Sequence, residues 1–400
     1  MGERVYPAAF RLLWGHDHAR RAHPPARAPR AVLPAGCAFE AAGFEIGWDH
    51  AHHRLVPPAE HLHAGHPVRQ GWQAGQAVFG TRTLRATPRV RKWLQLRLNA
   101  WLRGRAFEGV QVTPHFLEQI DAAECPITRE ALTHATGLPG DASVDRVNND
   151  AGYAAGNLAV MSVRANAAKS GYGWDDALGF VRQIERGALG QIDGLDAAAW
   201  SRLAVLMSYT TPLAHEQAAC LPLLVLPPNR LRLLNAVQAL QVLLTLQFTR
   251  PHAGRRIAEL AAAMPGADAR TAYQVFMHTL LARRVAAGPQ IEGAALRRAL
   301  EDAWTHPLVV RRWQRLALRL TAADCERLVE RACRRGLAGR DCRWLPLAAA
   351  TDGWALETRG YVAGSTVRAP AGNTAASQDA PRPPALLPQP PAQQQAALFA

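Results

Sequence analysis

The sequence predicts an α+β protein, with one small strand–loop–strand–helix unit inside a mostly helical, multi-domain chain. Three observations carry this. Residues 142–169 pass from period-two alternation to helical spacing across a glycine-bearing loop. Apolar residues between about Ala197 and Leu337 recur at helical spacing, enough for six or seven helices. Composition also shifts at both ends: residues 1–88 are rich in Pro, Gly and His, and residues 363–400 in Pro, Ala and Gln. The 400 residues therefore divide into an N-terminal region (1–88), a basic helix with the small unit (89–190), a helical domain (191–362) and a disordered tail (363–400).

Within the unit, Ala142–Val147 (ASVDRV) alternates small or apolar with polar residues, as a half-buried strand does. Asn148, Asn149, Asp150 and Gly152 supply turn chemistry, and Gly156 closes the loop. Asn157–Ser162 (NLAVMS) resumes a strand. Ser162 then caps a helix through Arg164, Asn166 and Lys169 that Gly171 stops. In such a hairpin-plus-helix, Asp145 and Asn166 could converge on one divalent ion. Both are hard oxygen donors, so Mg²⁺ is the natural choice, with water and a substrate phosphate filling its other positions.

A basic segment precedes this unit. No carboxylate occurs between Glu60 and Glu108, and Arg82, Arg85, Arg89, Arg91, Lys92, Arg97, Arg103 and Arg105 fall in that gap. On a helix from about Arg89 to Arg103, Val90, Trp93, Leu94, Leu98 and Trp101 form an apolar stripe, interrupted by Arg97. Arg89, Lys92, Asn99 and Arg103 lie on the other side. A solvated charged face is one reading; the position just ahead of the candidate metal residues favours phosphate contact by Arg89, Lys92, Arg103 and Arg105. Trp93 and Trp101 read as core.

Cys125–Lys169 reads CPITREALTHATGLPGDASVDRVNNDAGYAAGNLAVMSVRANAAK. Its C-P-x-T, S-x-D-R-x-x-N-D-x-G-Y-x-x-G-N and R-A-N-x-x-K motifs resemble an HNH endonuclease of the His-Me finger (ββα-metal) superfamily, of the phage and bacterial type. The likeness runs from Arg89 to about Arg186, about a quarter of the chain. It implies a ββα-metal module in which Asp145 and Asn166 hold Mg²⁺ or Mn²⁺, Asn157 pins the loop and Lys169 lies near the phosphate. The usual HNH general base is a His directly after the Asp, and that position is Arg146 here. Arginine stays protonated and cannot accept a proton from water. Asp150, His134 or a metal-bound hydroxide could serve instead; Arg146 could clamp the phosphate; or the fold could persist without cleavage. The paired Cys-x-x-Cys motifs of many HNH proteins are missing, so no structural zinc is expected, and Cys125 reads as a small packing residue.

The N-terminal region offers short strands within 44–82 (FEIGW, RLVPP, AVFGTR) and a cluster of His50, His52 and His53 with Asp49 that could bind metal but reads better as solvent-exposed. Leu233–Phe248 is apolar but too short to span a membrane, and Asn235, Gln238, Gln241 and Gln247 mark it as a buried core helix. Helices starting at Thr305-His-Pro307 and at Thr321, the second ending at Gly336, follow capping rules. The helical domain and the tail, through Leu386-Leu387 or Leu398-Phe399, are candidate protein-partner sites; the tail reads more simply as inert.

The formal net charge is +14, and of 46 Lys and Arg only Lys92 and Lys169 are lysine. Six scattered cysteines and no signal peptide suit a reducing cytoplasm. The function expected is a metal-dependent, HNH-like endonuclease hydrolysing DNA phosphodiesters. The alternative is a catalytically inactive HNH-fold protein that binds DNA or serves assembly. Target sequence, strandedness and oligomeric state are not legible.

Overall fold

The computed structural model describes residues 35–362, apart from 188, 289, 290, 340 and 341; the tail expected to be disordered lies outside them. The described residues are mostly helical and carry one two-stranded antiparallel sheet.

Helices α1 (Ala35–His52) and α2 (Pro67–Phe79) occupy the region where short strands are expected from the sequence. The correction has a packing cause. Gly43 and Gly47 on α1, and Gly71 and Gly75 on α2, lie one helical turn apart and form smooth stripes. A Cβ on Gly47 would overlap the Val68 carbonyl, and one on Gly71 the Phe44 carbonyl. The helices thus meet backbone to backbone. The aromatics that suggest strands pack along the pair, Trp48 edge-to-face with Phe79 at a centroid separation of 4.9 Å.

Helix α3 (Pro88–Leu102) starts where Thr87 Oγ1 accepts from the Val90 amide at 3.2 Å, with Pro88 in the first turn. Val90, Trp93, Leu94, Leu98 and Trp101 are all buried, as the stripe predicts. Arg97 interrupts the stripe where α1 docks: it pairs with Asp49, lies 3.8 Å from Glu45, and its guanidinium sits 4.6 Å from the Trp93 ring centre. Helix α4 (Pro114–Gln119) follows.

Strands β1 (Ala142–Arg146) and β2 (Leu158–Ser162) pair antiparallel, with Asp145 opposite Ala159. β2 is buried throughout, and β1 is half-buried. Ser162 Oγ caps α5 (Val163–Lys169) by accepting from the Ala165 amide at 3.2 Å, and Ser170, at φ +42°, ends it. Helix α6 is Trp174–Glu185.

Eight helices are described over the stretch expected to hold six or seven: α7 (Ala197–Tyr209), α8 (His215–Cys220), α9 (Ala236–Thr245), α10 (Ala253–Ala263), α11 (Gly266–Ala286), α12 (Gly293–Ala303), α13 (Pro307–Ala317) and α14 (Ala322–Arg334). α9 and the 3₁₀ turn after it lie at the centre. The polar residues here are internally bonded: Asn235 Nδ2 donates to Ser208 O at 2.8 Å, and Gln241 Nε2 to Leu221 O at 2.9 Å. α13 and α14 begin at His306 and Thr321, and Gly336 takes φ +67° after the last turn.

The hairpin is not a separate body. Cys125, Ile127, Met161 and Ala165 belong to the same hydrophobic cluster as Trp200, Leu203 and Tyr209. Arg129 pairs with Asp302 at 2.5 Å and Glu301 at 3.3 Å, and Arg298 pairs with Glu124. Residues 342–362 return as an irregular strap along the Asn148–Gly156 loop. There Gly152 N donates to Trp354 O at 2.8 Å, and Ala106 N to Gly360 O at 2.9 Å. Among the described residues no helix is long and apolar enough to cross a membrane.

Candidate functional site

Strand and helix periodicity bring four polar side chains together. Ser143 and Asp145, two apart, share a face of β1; Asn166 and Lys169, three apart, share a face of α5. The pairs interlock: Asn166 Nδ2 donates to Ser143 Oγ at 2.8 Å, and Lys169 Nζ lies 3.0 Å from Asp145 Oδ2. A cleft of about 270 Å³ opens beside them. Asp145, Arg146, Asn166 and Ser143 line it together with Lys92, Asn99 and Arg103 of α3. Asp145 and Asn166 therefore face the same space, and the polar side of the basic helix faces it too.

Lys169 departs from its expected place near a phosphate. It is buried, and its ammonium also donates to Arg146 O at 2.9 Å and Asn149 Oδ1 at 2.8 Å. Two hydrogen bonds and the adjacent Asp145 charge thus surround the ammonium, which is what makes its burial tolerable. Burial lowers its pKa, while the Asp145 charge opposes the shift. The contact with Asp145 Oδ2 is an ion pair rather than a well-aligned hydrogen bond.

Asn157, fully buried, holds the loop between the strands. Its Oδ1 accepts from the Asn148 amide at 2.9 Å, and its Nδ2 donates to Asn148 O at 3.1 Å and Gly152 O at 2.9 Å. Gly156 closes the loop at φ +99°, where a Cβ would overlap the Arg232 side chain. Arg146 reaches along the same loop: Nη1 donates to Asn149 O at 3.0 Å and Ala151 O at 2.8 Å, and the guanidinium lies 5.2 Å from the Tyr153 ring centre.

The remaining sequence candidates divide. Lys92 and Arg103 line the cleft. Arg89 pairs with Asp121, and Arg105 is held by the strap, donating to Arg359 O at 2.7 Å and stacking 3.7 Å from the Tyr361 ring centre. Arg89, Arg105, Asp150 and His134 are not among the lining residues. Asp150 pairs instead with Arg359 at 3.2 Å. His50 and His52 are also engaged elsewhere: His50 bonds the Ile46 carbonyl at 2.7 Å, and His52 stacks on Phe79 at 4.2 Å. His50 is buried rather than solvent-exposed, and Asp49 is taken by Arg97.

Sequence reasoning took Asn149 for a turn residue only, whereas it holds both Lys169 and the Ser170 carbonyl, and it missed the strap. Period two from Asp145 points to Ser143; nothing local points to Trp354 or Gly360, which lie some 200 residues away in the chain. Cys125 is buried, and its sulfur accepts the Ser162 amide at 3.3 Å and the Thr128 amide at 3.5 Å. It ties the turn ahead of the hairpin to the start of α5.

The donor set suits a hard divalent cation. Lys169 engages Asp145 Oδ2 and Ser143 engages Asn166 Nδ2, so Asp145 Oδ1 and the side-chain oxygen of Asn166 are the atoms that would hold an ion. Among the described residues no three His, Cys, Asp or Glu side chains gather as a metal cage. A two-donor site completed by water and phosphate is the form Mg²⁺ commonly takes. No family model, curated protein or solved structure matches the chain.

Proposed function

We propose that this chain is a metal-dependent, HNH-like endonuclease hydrolysing DNA phosphodiester bonds, with β1, β2 and α5 as its ββα-metal module. The observation that carries the reading is the shared cleft: Asp145 and Asn166 on one side, Lys92 and Arg103 on the other. An anionic phosphodiester entering it meets net positive charge, because the Asp145 carboxylate is already offset by Lys169. A divalent ion held there would polarise the phosphate and stabilise charge on the leaving oxygen. The chain's own residues orient the substrate: Arg103 binds phosphate oxygens, while Arg146 and Asn157 keep the adjoining loop rigid.

The test is nicking of supercoiled plasmid with Mg²⁺ or Mn²⁺. Asp145→Asn, which preserves shape better than Ala, and Asn166→Ala should each lower turnover by at least about a hundredfold, the scale of losing one oriented stabilising group. Wild-type protein that binds DNA but cleaves none with either metal would sink the enzyme reading. The second reading, an inactive DNA-binding or assembly protein, draws on one observation: Arg146 stands where a base is needed, and it is bonded to loop carbonyls.

A further inference from the structure

Hydrolysis in this cleft requires a proton acceptor for water, and among the described residues no histidine lines it. Asp145 is committed to Lys169, and Arg103 and Arg146 are guanidinium groups that stay protonated. Tyr153 lies beneath the Arg146 guanidinium. One side chain with an ionisable nitrogen remains. Lys92 projects from α3 into the cleft, and its burial lowers its ammonium pKa towards the neutral form.

Composition makes the same point independently. This chain uses arginine for almost every cation, and its two lysines both fall at this site. At Lys169 the reason is visible: a compact ammonium fits three converging acceptors where a planar guanidinium would not. At Lys92 no such pocket demands an ammonium. What lysine offers there and arginine cannot is a lone pair after deprotonation.

Resting on the nuclease reading, we propose that Lys92 is the general base of the cleft, taking the role that the residue after Asp145 cannot fill. Neutral Lys92 Nζ accepts a proton from water. The water oxygen bonds to phosphorus as the bond from phosphorus to the 3′ oxygen breaks, and that oxygen leaves with a proton from solvent. The charged and titratable groups around Lys92 are Asp145 and Arg146 on β1, Tyr153 on the loop and Arg103 on α3 itself. Behind them lie Lys169 on α5, the Arg89–Asp121 pair towards α4 and the Arg97–Asp49 pair towards α1. Burial favours a neutral Lys92, so the rate should rise with pH until the lysine is deprotonated and fall as pH drops through its pKa.

The experiment compares wild type, Lys92→Arg and Lys92→Ala in single-turnover cleavage of a duplex oligonucleotide across pH, with DNA affinity measured separately in Ca²⁺. Lys92→Arg should keep affinity within about threefold yet cleave about a hundred- to a thousandfold slower, the range for a lost general base, and lose the wild-type pH limb. Small primary amines should restore cleavage to Lys92→Ala, more so as pH rises. Lys92→Arg cleaving like wild type with the same pH profile would overturn the proposal and leave Lys92 a phosphate contact. Failure of amine rescue would overturn it equally. Absence of cleavage by wild type is a separate result, which removes the nuclease reading itself.

Discussion

Lys169 joins strand to helix through an ion pair with Asp145 in which the lysine side chain is 1 % exposed and the carboxylate side chain 13 %. Removing one partner strands the other's charge in a poorly solvated place, a loss of about 3–5 kcal/mol. Lys169→Met should therefore lower the urea midpoint strongly, while adding Asp145→Asn to it should recover much of the loss. A single substitution costing under about 1 kcal/mol would mean that the pair is dispensable. The identity of these residues is readable from spacing alone. Their direction is not: a lysine at the end of a short helix can snorkel to water or turn inward, and Asn149 and the Arg146 carbonyl decide which.

At the scale of elements, the α1–α2 pair is the clearest departure from the sequence reading. Phe44, Ile46 and Trp48 favour strands locally, yet glycines four apart on both segments allow a backbone contact that local propensity does not register. Gly71→Ala should thus cost about 2–3 kcal/mol, because the added methyl meets the Phe44 carbonyl and the helices must part. Gly179→Ala, in α6 with open space around it, should instead stabilise by about 0.5–1 kcal/mol. Thermal unfolding of the two variants checks both signs; equal shifts would contradict the close-contact account. Elsewhere the elements follow local chemistry. α3, α5, α13 and α14 start at Thr87, Ser162, His306 and Thr321, whose side chains accept the first free amides.

At the scale of the whole molecule, the +14 charge is general, and only part of it faces the cleft. Arg103→Gln should reduce the log–log salt slope of DNA binding by about one. Arg89→Gln should leave that slope unchanged, since Arg89 is already paired with Asp121. Equal effects at both positions would mean that the helix binds DNA through diffuse charge rather than through the cleft.

By itself the sequence determined the hairpin and α5, the buried central helix, the apolar stripe of α3 and the placing of Asp145 and Asn166 along one cleft. These depend on periods of two and 3.6 residues and on partners within some 25 positions, which are local quantities. Tertiary structure alone decided that α1 and α2 are helices in backbone contact, that Arg97 answers Asp49, that Lys169 points inward and that the strap braces the loop. It also decided that Lys92, rather than Asp150 or His134, shares the cleft with Asp145 and Asn166. Each of these depends on steric fit or charge between segments distant in the chain, and no local pattern encodes the distance between them.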